Sequence, residues 1–146
     1  MISIQITSPG LDRLREALKR TPEKVLTEIE VAMKKSGTLI TNTAIKEAPV
    51  NKLSGGGQLR QNIRPHLLSK THLEVVSEVP YSHFVEEGTG IYAGHTKFLG
   101  KIPGVGWRWI KGMKANPFMR RTYDKTKDKI SDFFRQALRN VFDSLK

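Results

Sequence analysis

Val79-Pro80-Tyr81-Ser82-His83-Phe84-Val85-Glu86-Glu87-Gly88-Thr89-Gly90 is the stretch on which the reading of this chain turns. An apolar, strand-like run leads into it, and Pro80 has no N–H to donate to a ladder, so the strand stops there. Tyr81, Phe84 and Val85 are apolar anchors expected to pin an extended corner to the core, and Gly88 and Gly90 permit the turn out of it. Glu86 and Glu87 pose the functional question. Paired carboxylates can serve acid–base or metal-assisted hydrolysis, but adjacent side chains of an extended segment point to opposite faces. A nuclease would need further acids nearby, and Gly88 to Tyr123 contains none. The corner reads as structural, with Glu86 expected to pair with a base across a subunit boundary.

Upstream, Ile2, Ile4 and Ile6 alternate with polar residues at the period of a half-buried strand. Pro9-Gly10 turns the chain, and Leu11, Leu14 and Leu18 have the spacing of a short helix. Thr21-Pro22 is a cap and first-turn pair for a long helix. Its apolar positions Val25, Ile29, Ala32/Met33, Ser36, Ile40 and Ala44 recur to about Glu47, and Ala48-Pro49 ends it. Gly37 weakens this helix by about 1 kcal/mol relative to alanine without breaking it. Gly55-Gly56-Gly57 tips a polar loop, and no Gly-Lys-Ser/Thr follows at the offset a phosphate loop needs. Leu59 to Arg64 leads into a strand. Leu67-Leu68 and Leu73 to Val79 read as hairpin arms turned near Ser69-Lys70-Thr71.

Downstream, Gly90 to Gly112 is a glycine-rich excursion with aromatics set among bases. Trp107-Arg108-Trp109 alternates as a strand, placing both indoles on one face. Asn116-Pro117 caps a final helix whose stripe is Met119, Tyr123, Thr126, Ile130, Phe133/Phe134, Ala137, Val141 and Leu145.

The 146 residues suit one domain, with 88–114 as a flexible interaction loop. There are no cysteines, which excludes disulfides and thiolate metal sites and makes intracellular synthesis the default. No apolar run approaches the ~18 residues of a membrane span, and the first residues lack a signal-peptide pattern. His66, His72, His83 and His95 show no metal-ligand spacing, and a His83–Glu86 proton relay is less credible than a surface histidine. No cofactor is expected. The formal net charge is +11, and from Gly88 to Tyr123 there are seven bases: Lys97, Lys101, Arg108, Lys111, Lys114, Arg120 and Arg121. Such a field favours polyanions or acidic protein surfaces. Phe98, Trp107 and Trp109 interleaved with bases fit nucleic-acid binding and an assembly interface equally well.

Three stretches in order resemble the small tail-component family of long-tailed double-stranded DNA phages and prophages. This is the head–tail joining or tail-completion type, similar in role to the minor tail protein Z of phage lambda. Ala44-Ile45-Lys46-Glu47-Ala48-Pro49-Val50-Asn51 with Leu59-Arg60-Gln61-Asn62-Ile63 resembles the family's helix ending in Ala-Pro-Val-Asp, then Leu-Arg-x-Ser-Ile. Tyr81 to Gly90 is similar to its Tyr-Ala-x-x-Val-Glu-x-Gly-Thr. Ala115-Asn116-Pro117-Phe118-Met119-Arg120 is similar to its Ala-x-Pro-Phe-x-x-Pro, with Arg121 where that proline usually stands.

The resemblance implies an α+β fold: a small antiparallel β-sheet packed against the long helix, with a basic excursion and a C-terminal helix. It implies a non-enzymatic virion protein of the neck or tail, made in the bacterial host cytoplasm. The protein would form a ring at the tail's head-proximal end, contacting itself and tail-tube, tail-terminator or head-connector proteins. DNA would pass through unread, and no membrane is involved. The expected interaction residues are Trp107, Arg108, Trp109, Lys97, Lys101, Lys111, Lys114 and Glu86. The expected hinge comprises Pro80, Tyr81, Phe84, Gly88, Pro117 and Phe118. The competing reading is a basic nucleic-acid-binding module using residues 92–114.

Overall fold

The computed structural model describes residues 2–5, 23–50 and 56–143. The expected short helix over Leu11 to Leu18, the Thr21-Pro22 cap and Leu145 lie outside them. In chain order the elements are β1 (Ile2–Gln5), α1 (Glu23–Glu47), α2 (Gln58–Gln61), β2 (Ile63–Ser69), β3 (His72–Ser77) and α3 (Ser82–Glu87). A 3-10 turn (Gly90–Ala93), β4 (Phe98–Ile102), β5 (Gly106–Ile110) and α4 (Phe118–Asp143) follow. The fold is α+β.

β3 is the centre of a three-stranded antiparallel sheet ordered β1-β3-β2. Cross-strand partners Ile63↔Ser77, Pro65↔Val75 and Leu67↔Leu73 share one face, and Ile2↔Ser77 and Ile4↔Val75 continue it across β1. Ile63, Leu73, Val75 and Ser77 on that face are buried, with Ile2 and Ile4 packed at its margin. Pro65 is tolerated because β2 is an edge strand, where a missing N–H breaks no interior ladder.

α1 is about 38 Å long at 1.5 Å per residue. Its expected stripe is the buried one: Val25, Ile29, Ala32, Met33, Ser36, Ile40 and Ala44 all face inward. The buried Ser36 hydroxyl is satisfied by donating to the Ala32 carbonyl at 2.8 Å. Gly37 has a packing reason to be glycine. A Cβ there would lie 2.6 Å from Leu73 Cδ1, so its absence lets β3 approach the helix backbone.

α4 packs along α1. Its buried positions are Phe118, Met119, Thr122, Thr126, Ile130, Ala137 and Val141. The expected stripe was one residue out at its start, since Thr122 is buried and Tyr123 half exposed. The small threonines allow close approach, and each satisfies its hydroxyl on its own helix. Thr122 donates to the Phe118 carbonyl at 2.7 Å and Thr126 to the Thr122 carbonyl at 2.8 Å.

The corner after β3 differs most from expectation. Residues 82–87 are helical, not extended. Helical spacing turns Ser82 and Val85 inward and leaves Tyr81 (42%) and Phe84 (52%) exposed, so Val85 alone of the three anchors is buried.

Candidate functional site

The three motif-bearing stretches meet at one junction. α1 ends there, and Arg60 from α2 reaches back to it, its Nε donating to the Ala48 carbonyl at 2.8 Å and Nη2 to the Lys46 carbonyl at 3.5 Å. Those are carbonyls a helix C-terminus cannot satisfy itself. The amide of Asn116 donates to the Val85 carbonyl at 2.8 Å, tying α3 to the start of α4. Between them lies a cleft of about 450 Å³, walled by Pro49, Val50, Leu59, Tyr81, Val85 and Met113.

Glu86 holds the junction from the α3 side. Its Oε2 accepts the Met119 amide and its Oε1 the Arg120 amide, each at 3.0 Å. A first-turn amide has no partner within its own helix, and the helix dipole is positive at this end, so a carboxylate is the complementary group. Both oxygens of Glu86 are thus engaged within the chain. Glu87, its neighbour in sequence, points away and lies 3.4 Å from His83 one turn earlier. The imagined His83–Glu86 relay is therefore not assembled.

Glu47 holds the junction from the α1 side. Arg121 donates from Nε to Glu47 Oε2 at 3.0 Å, and from Nη2 to the Glu47 carbonyl at 3.2 Å and Asn116 Oδ1 at 2.7 Å. The Lys125 ammonium binds the other carboxylate oxygen of Glu47. Lys125 first and Arg121 second hold the Glu47 carboxyl below its ordinary value of 4.5. A carboxylate in the last turn of a helix is misplaced with respect to its own dipole. That misplacement, with Arg121 and Lys125 four apart, was the signal for a clamp that sequence reasoning passed over.

The excursion is closed at its root by backbone contact. Thr89 N–H donates to the Met113 carbonyl at 2.8 Å and Ile91 N–H to the Lys111 carbonyl at 2.9 Å. The Met113 amide in turn donates to Thr89 Oγ1 at 2.9 Å. Glycine is required here by space as well as by φ. A Cβ on Gly90 (φ +62) would sit 2.3 Å from the Lys111 carbonyl oxygen, and one on Gly112 (φ +98) 2.0 Å from that of Thr89.

Beyond this root the segment is ordered as the β4–β5 hairpin, paired Phe98↔Ile110 through Ile102↔Gly106. Trp107 and Trp109 are 66% and 68% exposed. Lys101 and Arg108 lie on the strands, Lys97 precedes them, and Lys111 follows. Lys114 sits at the root, its ammonium 5.9 Å above the Tyr92 ring. The structure therefore divides the expected interaction residues into a hairpin group and Glu86, which belongs to the junction. Pro80 and Tyr81 lead into α3, Gly88 ends it, and Pro117 precedes Phe118, which is fully buried at the start of α4.

Among the described residues no helix is long and apolar enough to cross a membrane. Among curated proteins and among solved structures, none matches this chain. A family model does, over residues 12–88, and its description is "Bacteriophage HK97-gp10, putative tail-component". That span takes in α1, α2, the β2–β3 hairpin and α3 with Glu86, so it covers the first motif-bearing stretch and the second as far as Gly88. The chain belongs to the HK97-gp10-like family of bacteriophage tail components.

Proposed function

We propose that this chain is a non-enzymatic structural protein of the phage neck or tail, completing or joining the tail at its head-proximal end. It would act as a ring of copies contacting tail-tube, tail-terminator or head-connector proteins, with DNA passing through unread. On this reading the whole chain works as one unit made in the host cytoplasm, and residues 88–114 form its interaction segment. The observation that carries the reading is the family match over residues 12–88. The exposed hairpin beside it supports an assembly role, because large exposed apolar patches mark interaction sites.

The test is genetic and structural. Particles made without the chain should accumulate as separate heads and tails, and Trp107→Ala with Trp109→Ala should give a folded subunit with the same defect. Light scattering of the purified protein, or electron microscopy of tails, should show a ring or a tail-bound form. Normal yield of infectious particles without the chain would overturn the proposal. The aromatic and basic hairpin also favours nucleic-acid binding as a second reading. That reading requires DNA affinity that falls steeply with salt, read as a gel shift at two salt concentrations.

A further inference from the structure

Both faces of the β4–β5 hairpin are open, and the register sorts them. Cross-strand partners share a face. One face carries Leu99 and Lys101 opposite Trp109 and Trp107, and the other carries Phe98, Ile102, Arg108 and Ile110. Leu99, Phe98 and Ile102 are exposed, as is Val105 at the tip. A two-stranded hairpin with neither face packed is marginal in water. This one is nonetheless shaped in advance. Its root is tied by the Thr89–Met113 and Ile91–Lys111 bonds, and the missing side chain of Gly100 lets Ile110 fold over the ribbon. A two-faced apolar arm held at its root is partly preorganised for insertion, which lowers the ordering cost of binding.

Charge selects the occupant. The segment from Gly88 to Tyr123 has seven bases and no acid. A second copy exposes Asp124, Asp128 and Asp132 along α4, but Lys125, Lys127, Lys129 and Arg135 stand among them, so that surface carries no net negative charge, and several other acids are engaged within the chain. Glu47 binds Arg121 and Lys125, and Glu86 binds the α4 amides. Glu30 pairs with Lys34, Glu78 with Arg64 and His66, Glu87 with His83, and Asp132 with Arg135. Nucleic acid would use the indoles and the bases but offers little to Leu99, Ile102 and Val105. A bilayer would want a longer uncharged tip than Ile102 to Trp107, with the bases set well behind the aromatic residues. Here Lys101 is level with Trp107, and Arg108 lies between the two indoles.

We infer that the β4–β5 hairpin is a docking arm that inserts into an acidic groove with apolar pockets on a different virion protein, anchored by Trp107 and Trp109. This rests on the tail-component reading above and names the chemistry of the partner. Lys101 and Arg108 meet the acidic walls while the apolar side chains of both faces fill the groove.

The experiment places the photo-crosslinking residue p-benzoylphenylalanine at Val105 in the full chain, supplied as the phage's only copy. Intact particles are irradiated and the products identified by mass spectrometry. The expected result is one dominant product with a different virion protein, joined at an acidic segment. Its yield should fall at least tenfold when Lys101→Glu and Arg108→Glu are added, with the thermal midpoint unchanged. Cross-linking to a second copy, to DNA or to lipid would overturn the inference. So would particles that contain the chain but give no product, and in all these cases the tail-component reading stands. Particles lacking the chain altogether would overturn both.

Discussion

Glu86→Ala should unfasten α4 from α3, and the structure sets the size of the effect. Two first-turn amides, those of Met119 and Arg120, each lose a charged acceptor at 3.0 Å. Losing a side-chain cap on a single helix amide costs about 1 kcal/mol, and hydrogen bonds to charged groups are individually stronger. Water replaces part of the loss at this half-buried site, so about 2 kcal/mol is expected for the pair. For a chain of this length that is roughly 6–8 °C in Tm. Glu86→Gln keeps one acceptor oxygen and should lose about half as much. Glu87→Gln is the matched control. Its side chain is exposed and meets only His83, so the change should stay within about 0.5 kcal/mol. Circular dichroism melts with parallel urea titrations would measure all three. A Glu86→Ala protein as stable as Glu87→Gln would refute the capping argument.

Three further outcomes follow from the same geometry. The Glu47 carboxyl is held below 4.5, so its contribution to stability is fully present above that pH and is lost as pH falls through the folded-state value. Glu47→Gln should therefore flatten the acid limb of a Tm-against-pH curve, and an unchanged limb would count against the clamp. Gly112→Ala places a Cβ 2.0 Å from the Thr89 carbonyl oxygen, whereas Gly104→Ala at the hairpin tip meets nothing within 4 Å. The first should abolish hydrogen-exchange protection at the Thr89 and Ile91 amides, and the second should cost only the left-handed strain of about 1–2 kcal/mol. Phe118→Ala removes a fully buried ring and should cost about 3–5 kcal/mol in chemical denaturation. Trp107→Ala, on the open hairpin, should stay within about 0.5 kcal/mol.

Periodic elements are legible in the sequence alone. The α1 stripe from Val25 to Ala44 and the break at Ala48-Pro49 follow from spacing and from proline's steric demand on its predecessor. The β2–β3 hairpin about Lys70-Thr71 and the start of α4 after Asn116-Pro117 were likewise visible locally. The strand through Trp107-Arg108-Trp109 needed only its alternation. Errors arose where a segment was short or a stripe ambiguous. Six residues from Ser82 to Glu87 make too few turns to display a period, and Pro80 suggested an extended corner in its place. Tyr123 is the more hydrophobic of two neighbouring positions, but the close approach of α1 and α4 rewards the smaller Thr122, which is the buried one.

The sequence by itself determined the two long helices, the basic excursion and the motif order, whose resemblance to the tail components implies the α+β class. Each depends on neighbours along the chain or on composition. The tertiary structure alone decided what the charged residues do. Glu86 reaches amides 33 and 34 residues away, and Glu47 is clamped by Arg121 and Lys125, 74 and 78 residues away. Such pairings leave no periodic trace, because they depend on where helix ends meet in space. The twin glutamates of the opening stretch, adjacent in sequence, are separated by the helical turn between them: one fastens the fold and the other faces solvent.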